Sequence, residues 1–561
     1  MNYKFLVFCL ISCMLSACTS TSSQKAPNII LIMSDDMGFS DISPYGGEIH
    51  TPNLQFLADK GAKFSQFYNT ARCCPSRASL LTGLYPQQAG IGHMVNDRGT
   101  PAYSGDLSFQ AVTIAEVLKE AGYSTYLSGK WHVTPYEAEH PNKKNWPLQR
   151  GFDKFFGIIA GAGSFYDPKG LVKDNDYIPP HSNFYATTDF SKQAVTYIQG
   201  HKRENPFFLY LAYTAAHWPM HAPDSAIKKY KGKYDQGWDS IRASRYQRMK
   251  ELTLIGKDWQ LTNRDSLVSA WHDSIPNKDW EIANMETYAA MVDIMDQGIG
   301  EVIQALKEKG ELDNTLILFL QDNGGCEETL RWLEPKAGDP PPSPIPTTAF
   351  QSETAPRITR DGKVVKFMEK GWPGPADGYT AYGPSWANVS NSPFREFKHW
   401  VHEGGISTPL IAYWPNGIEA SGNFIKHPGH LIDIMATCVD VANADYPQSF
   451  HEHQIKPMEG RSLMKIIEKE EVKDRPIFWE HEGNRAVRKG KWKLVSKASR
   501  LNSFQWDKYE TIPLEAWELY DMDRDRTEMQ NVAAQKPELV EEMARMWIQW
   551  ARKVGAVPRP N

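Results

Sequence analysis

Two short apolar runs that end in acid set the strongest limit on how this 561-residue chain can fold. Asn28-Ile-Ile-Leu-Ile-Met33 is broken by Ser34-Asp35-Asp36-Met37-Gly38, and Thr315-Leu-Ile-Leu-Phe-Leu320 by Gln321-Asp322-Asn323-Gly324-Gly325. A strand with one wet face alternates apolar and polar residues. A strand that is apolar throughout is buried on both faces, as the inner strands of a parallel sheet are. Phe207 to Ala212 leads in the same way to Ala216-His217-Trp218-Pro219, and Pro409 to Tyr413 leads to Trp414-Pro415. Helical stretches lie between them. The clearest runs from Met285 to Leu306, with Met285, Ala289, Val292, Met295, Ile299, Val302 and Leu306 on one face. This alternation predicts an α/β fold, a doubly wound mixed or parallel sheet flanked by helices. Polar residues just past strand ends mark its ligand crevice.

Two regions interrupt the pattern. Lys228 to Trp280 is charged and rich in Trp, and reads as a surface insertion with helices of its own. Gly338-Asp-Pro-Pro-Pro-Ser-Pro-Ile-Pro346 opens a Pro- and Gly-rich passage to about Trp386, a length typical of lids and binding loops. After Tyr446 come short amphipathic runs, Pro476 to Glu480, Arg485 to Arg488, Trp492 to Val495 and Trp517 to Tyr520. A helix follows from Pro537, carrying Leu539, Met543, Met546, Trp547 and Trp550. The expected division is a leader (1–24), a large α/β domain (25–445) and a smaller C-terminal domain of antiparallel sheet plus helix (446–561).

The leader carries address information. Lys4 precedes the apolar run Phe5 to Ile11, and Leu15-Ser16-Ala17-Cys18 follows. A core this short is an export signal rather than a spanning helix, and no other apolar run reaches the roughly 20 residues that spanning requires. Leu-Ser-Ala-Cys resembles the bacterial lipobox, which implies lipid attachment at Cys18 and anchorage in the periplasm or outer membrane of a bacterium. Ordinary cleavage after Ala17 is the plainer alternative. The net charge of −5 gives no reason to expect a nucleic acid partner. Of seven cysteines three lie in the leader, leaving Cys73, Cys74, Cys326 and Cys438 for the folded part. Four in so long a chain are no disulfide framework.

The chemistry is concentrated in Cys73-Cys74-Pro75-Ser76-Arg77-Ala78-Ser79-Leu80-Leu81-Thr82-Gly83. This segment resembles the signature of the formylglycine-dependent (type I) sulfatases: Cys, any residue, Pro-Ser-Arg, three residues, Leu-Thr-Gly. The register selects Cys73, because counting from Cys74 would require Pro at Ser76. In that family the cysteine is oxidised by a maturation enzyme to an aldehyde, formylglycine. A serine or thiol would trap sulfate as a stable ester. A hydrated aldehyde has two hydroxyls, one to attack sulfur and one to collapse to C=O and expel sulfate. Pro75 and Ser76 suit a helix N-terminus, where exposed N–H groups favour negative charge.

Asp35, Asp36, Asp322 and Asn323 offer hard oxygen ligands from two strand ends, a set that suits calcium or magnesium better than zinc or copper. The resemblance implies one Ca²⁺ held by these four together with the modified Cys73, and an alkaline-phosphatase-like form of the sheet. It also assigns roles by matching segments. Lys130 and His132, in Ser128-Gly129-Lys130-Trp131-His132, would meet sulfate oxygens and the formylglycine hydroxyl. His217 would protonate the leaving alcohol. Lys398, upstream of Glu403-Gly404-Gly405, would be a second clamp on the sulfate. Arg77 would neutralise the nucleophile and orient a metal-bound carboxylate. His221, Cys74, Cys326 and Cys438 are read as structural.

Lys231 to Trp238, Met285 to Met291 and Trp386 to Asn391 are most similar to the bacterial arylsulfatase branch. The expected substrate is a sulfated sugar or an aryl sulfate, selected by the Pro-rich passage, the insertion, and the residues His481-Glu482-Gly483-Asn484-Arg485. The carboxylate and histidine of that last stretch are set to bind sugar hydroxyls or to form salt bridges within the small sheet. The alternatives are a phosphonate monoester or phosphodiester hydrolase of the same superfamily, and a non-catalytic glycan-binding lipoprotein.

Overall fold

A computed structural model describes residues 26–202, 204–339, 341–419, 422–497 and 517–557. The expected export signal and Cys18 lie outside the described residues. No described helix is long and apolar enough to cross a membrane.

The predicted strands assemble into one large mixed sheet. Its first eight strands in chain order are β1 (Asn28–Ser34), β2 (Ala62–Tyr68), β3 (Ser124–Lys130), β4 (Lys154–Ile158), β5 (Leu171–Lys173), β6 (Asp176–Tyr177), β7 (Phe207–Ala212) and β8 (Thr315–Gln321). The centre runs β8-β1-β7-β3-β4, all parallel. On one flank the strand Ser407–Tyr413 pairs antiparallel with both β8 and β2, and on the other β5 and β6 close the edge. Along β1 the residues alternate between two cores. Ile30 and Ile32 meet one, with Leu54 of helix α1 (Pro52–Lys60), Met295 and Ile299. Ile29, Leu31 and Met33 meet the other, with Ala78 and Leu81 of helix α2 (Cys73–Thr82) and Leu118 of helix α3 (Ile114–Glu120). Both faces are covered, so an alternating wet face had no place in the sequence.

Two expectations need correction. The long helix spans Lys278–Lys309, starting seven residues before Met285, because Trp280 and Ile282 are buried and the Trp280 indole donates to Gly371 O at 3.0 Å. The stretch before it is exposed in part, but is not confined to the surface. Its helix Gly237–Glu251 sends Trp238 and Ile241 into the core beside Trp259. Arg245 there is fully buried between Asp41 (2.6 Å) and Glu48 (2.7 Å). All four described cysteines are unbridged thiols.

The C-terminal strands Ile477–His481, Asn484–Lys489, Trp492–Ser496 and Glu518–Asp521 form an antiparallel sheet in that order. The helix Pro537–Val554 covers one face, with Met543, Trp547 and Trp550 against Val487, Leu494 and Leu519. The other face, Trp479, Ala486 and Val495, packs on Tyr68 and Ile406. A buried ionic knot crosses this joint: Lys493 Nζ lies 2.9 Å from Glu403 and 2.7 Å from Glu528, and Arg526 Nε lies 2.7 Å from Glu403. Burial alone would raise the Glu403 carboxyl, but Lys493 and Arg526 hold it down at about 2.

Removing one partner of such a knot strands the others in low dielectric. Lys493→Met should therefore destabilise the protein by about 3–5 kcal/mol near neutral pH. Because the folded value of Glu403 is depressed, its contribution is complete above about pH 4.5 and fades as pH falls toward about 2. The gap between variant and wild type should narrow over that window as Glu403 protonates. Denaturation midpoints across pH measure it, and equal midpoints at pH 7 would refute it.

Candidate active site

Register places the chemistry. Met33 pairs with both Leu320 and Ala212, and Ala212 pairs with Gly129. The C-terminal ends of β8, β1, β7 and β3 therefore lie in one row, and the residues just beyond them meet: Asp322 and Asn323, Asp35 and Asp36, the turn to His217, and Lys130 to His132. Gly129 makes the last approach possible. Its φ is +118°, and a Cβ there would stand 1.9 Å from the Ala212 carbonyl oxygen. Asp36 (φ 58°) and His132 (φ 54°) take left-handed conformations without being glycine, a cost of order 1–3 kcal/mol each that surrounding structure must offset.

All the residues singled out from sequence converge here, and all are at least 95% buried. Lys130 Nζ is 2.6 Å from Asp35 Oδ2. Arg77, on the wholly buried helix α2, donates to Asp322 Oδ2 at 2.9 Å and lies 3.5 Å from Asp35 Oδ2. It also donates to Lys130 O at 3.2 Å and to the Tyr210 hydroxyl at 3.4 Å. Lys398 Nζ sits 2.8 Å from Asp36 Oδ1 and 3.5 Å from His217 Nε2. Asn323 Nδ2 donates to Asp36 Oδ1 at 2.7 Å. His217 Nδ1 donates to Trp218 O at 2.7 Å, which fixes the tautomer and turns Nε2 toward Asp36 Oδ2, 3.3 Å away.

Burial sets the protonation states. It raises Asp35 despite Lys130 and Arg77, and raises Asp322 well above the ordinary range with Asp35 adding repulsion. Asp36 goes the other way: burial would raise it, but His217 and Lys398 bring it to about 2. Burial lowers His132 and His217 to about 4 each, so both imidazoles are neutral near pH 7.

The donor set keeps acceptors free for a hard cation. Asp35 Oδ1 and Asn323 Oδ1 are both buried with no hydrogen-bond partner among the described residues. Two spare oxygens beside three carboxylates match a cation that takes oxygen ligands. His217 lies closer to this set than its assignment as a leaving-group acid required, since its ring nitrogen and oxygens of Asp35 and Asp36 fall within 4.8 Å of one another.

Cys74 is a residue whose place the sequence did not reveal. Its Sγ lies 3.2 Å from His132 Nε2, and Cys73, Cys74 and His132 form one tight group. Consecutive residues at the first turn of α2 both face the end of β3; their adjacency was the available signal. The thiols diverge: a hydrogen bond from Cys74, then Lys130 and His132, hold Cys73 well below the ordinary thiol value, while burial pushes Cys74 well above it.

Comparisons with known proteins agree with this geometry. The sequence profile named Sulfatase matches residues 27–444, and that of the N-sulphoglucosamine sulphohydrolase C-terminal region matches 395–553. An arylsulfatase of Klebsiella aerogenes is 34% identical over 83% of this chain and 97% of its own. An uncharacterized sulfatase of Schizosaccharomyces pombe is 31% identical over 96% of both. Among solved structures, Ps i-CgsB in complex with k-i-k-neocarrahexaose superposes with TM-score 0.62 at 24% identity, covering 94% of this chain and 93% of that one. The fold is thus that of the sulfatases, and the α/β reading with its small antiparallel sheet holds. This chain belongs to the sulfatase family. It is a sulfuric ester hydrolase.

The thiol asymmetry can be measured on the unmodified chain. At pH 7 a small neutral alkylating reagent should label Cys73 well ahead of Cys74, Cys326 and Cys438, because the thiolate is the reactive form. Peptide mass analysis over time reads the order, and equal labelling of Cys73 and Cys74 would contradict it.

Proposed function

We propose that this sulfatase removes sulfate from a sulfated carbohydrate, with Cys73 oxidised to formylglycine and one calcium ion held by Asp35, Asp36, Asp322, Asn323 and the modified residue 73. The observation that carries the reading is Cys73 as the first residue of buried helix α2, with no acidic residue in its first turn and with Lys130 and His132 against it. Unpaired N–H groups and a lysine favour an anion there. When bound, calcium would supply Lewis-acid charge to the sulfate, and the hydrated aldehyde would supply the attacking hydroxyl and the one that later expels sulfate.

The chain's own groups do the rest. Lys130 and Lys398, each paired with one carboxylate of the set, hold sulfate oxygens. Arg77, within reach of both Asp322 and Asp35, offsets part of the burial and mutual repulsion that raise them. His132 contacts the hydroxyl at position 73. His217, with Nδ1 committed to Trp218 O, presents Nε2 to the departing oxygen; the negative ester arriving beside it offsets the burial that keeps it neutral in the free enzyme. The preference for sugar rests on the rim. Trp332 is 64% exposed and stands edge-on to Trp218, the neighbour of His217, with ring centroids 6.2 Å apart. Such an aromatic face suits a pyranose ring next to the scissile bond. A human N-acetylgalactosamine-6-sulfatase is 24% identical over 82% of this chain, and one structural neighbour of TM-score 0.57 was solved with its substrate D-glucosamine-2-N,6-O-disulfate. A maturation enzyme would oxidise Cys73, and the leader would export the protein to a lipid anchor at Cys18 in the periplasm or outer membrane.

Cys73→Ser should abolish sulfate release, and intact-peptide mass measurement should find the aldehyde or its hydrate at position 73 of active enzyme. Chelation should remove activity and calcium should restore it better than zinc. Active enzyme with an unmodified Cys73, stoichiometric zinc in place of calcium, or turnover of phosphodiesters above all sulfate esters would sink the proposal.

The roles of His217 and the lysines separate with two substrates. A sugar alkoxide must be protonated as it leaves, whereas a nitrophenolate leaves unaided. His217→Ala should lose roughly 10²–10⁴-fold in kcat/KM on a sugar sulfate and much less on an activated aryl sulfate. Lys130→Ala and Lys398→Ala should lose similarly on both, since both substrates carry the same sulfate. The reverse pattern, measured in excess calcium, would reassign the roles.

A further inference from the structure

Three histidines and one carboxylate meet beside the active site, at the joint with the C-terminal sheet. His399 adjoins Lys398, His93 lies in the loop after α2, and His481 and Glu482 enter the turn between strands Ile477–His481 and Asn484–Lys489. The sequence left Glu482 to sugar hydroxyls or to salt bridges within the small sheet. Its two shortest contacts leave the small sheet for the large domain. Oε1 lies 2.6 Å from His93 Nε2, and Oε2 lies 2.6 Å from His399 Nδ1. His481 Nε2 is 3.8 Å from Oε1, and the His93 and His481 rings stack with centroids 5.8 Å apart.

The feature that points to a ligand is His481. It is 1% exposed, and neither ring nitrogen has a hydrogen-bond partner among the described residues. A buried polar group left so is destabilising until something pairs with it. One ring nitrogen each of His399 and His481 and a Glu482 oxygen already lie within 4.8 Å of one another. A tetrahedral zinc ion with ligands at about 2.0–2.1 Å has ligand-to-ligand edges of about 3.3 Å. The 2.6 Å contacts must open and the 3.8 Å contact must close, and His93, which lies outside that group of three, must swing in from its contact with Glu482.

We infer that His93, His399, His481 and Glu482 bind a zinc ion, separate from the catalytic oxygen set, that clasps the C-terminal sheet to the segment carrying Lys398. The chemistry selects the metal. A set of three imidazoles and a single carboxylate would not retain calcium, which depends on several charged oxygens. Neutral imidazole nitrogens hold zinc by bond strength instead.

The test uses the full-length protein in excess calcium, titrated with zinc chloride. Bound metal is counted by elemental analysis after dialysis, and thermal midpoints are followed against zinc concentration. The wild type should hold one zinc beyond the calcium, and its midpoint should rise with zinc as expected for a ligand that binds the folded state alone. His481→Ala and Glu482→Gln should each weaken zinc at least about tenfold while still binding calcium; if His481→Ala fails to fold, Glu482→Gln carries the same reading. Cobalt in place of zinc should give d–d bands without a thiolate charge-transfer band, which separates this group from Cys73, Cys74 and His132. Zinc that survives both substitutions, that is lost on Cys74→Ala, or that the wild type never binds would overturn the assignment.

Discussion

Three carboxylates buried side by side can coexist only with cations set among them. Even at an effective dielectric of about 20, two unit charges 4 Å apart interact by about 4 kcal/mol. Asp35, Asp36 and Asp322 are therefore threaded with Lys130 at 2.6 Å, Lys398 at 2.8 Å and Arg77 at 2.9 Å. Much else in the fold serves that arrangement. Helix α2 is buried along its whole length because Arg77 must reach the sheet edge from within, and Gly129 is bare because Lys130 must arrive beside Ala212.

The same constraint reaches into the C-terminal sheet. The Gly324 amide donates to Gly405 O at 3.0 Å and the Lys398 amide to Gly325 O at 3.1 Å, so the segment from Lys398 to Gly405 is pinned to the loop that carries Asp322 and Asn323. Glu403, inside that segment, is the centre of the knot with Lys493 and Arg526. The small sheet thus supports a residue of the site from 95 positions further along the chain. A fault at the joint would be felt at Lys398, which is why the neighbouring His399 cluster bears on the reaction centre without belonging to it.

Protonation follows from the same burial. A site this dry drives His132 and His217 to their neutral forms and lifts Asp35 and Asp322, while a histidine and a lysine bring Asp36 down. The free site holds positive charge on lysine and arginine rather than on histidine. That division suits sulfate ester hydrolysis, in which the ester brings permanent negative charge and the leaving oxygen needs a proton only late.

By itself the sequence determined the inner strands, their order of polar endings, the register that selects Cys73 over Cys74, and the residue types at the site. Each of these is a local pattern. A run without alternation can only be buried on both faces, and a Pro-Ser-Arg at fixed offsets can only fit one cysteine. It did not reveal that Arg245 is buried between Asp41 and Glu48, that Trp238 and Trp280 belong to the core, that Cys74 lies against His132, or that Glu482 turns from its own sheet to His93 and His399. Those partners stand tens to hundreds of residues apart. Only sheet order and helix packing decide which of many equivalent charges and rings come within 3 Å, and no periodicity along the chain encodes that choice.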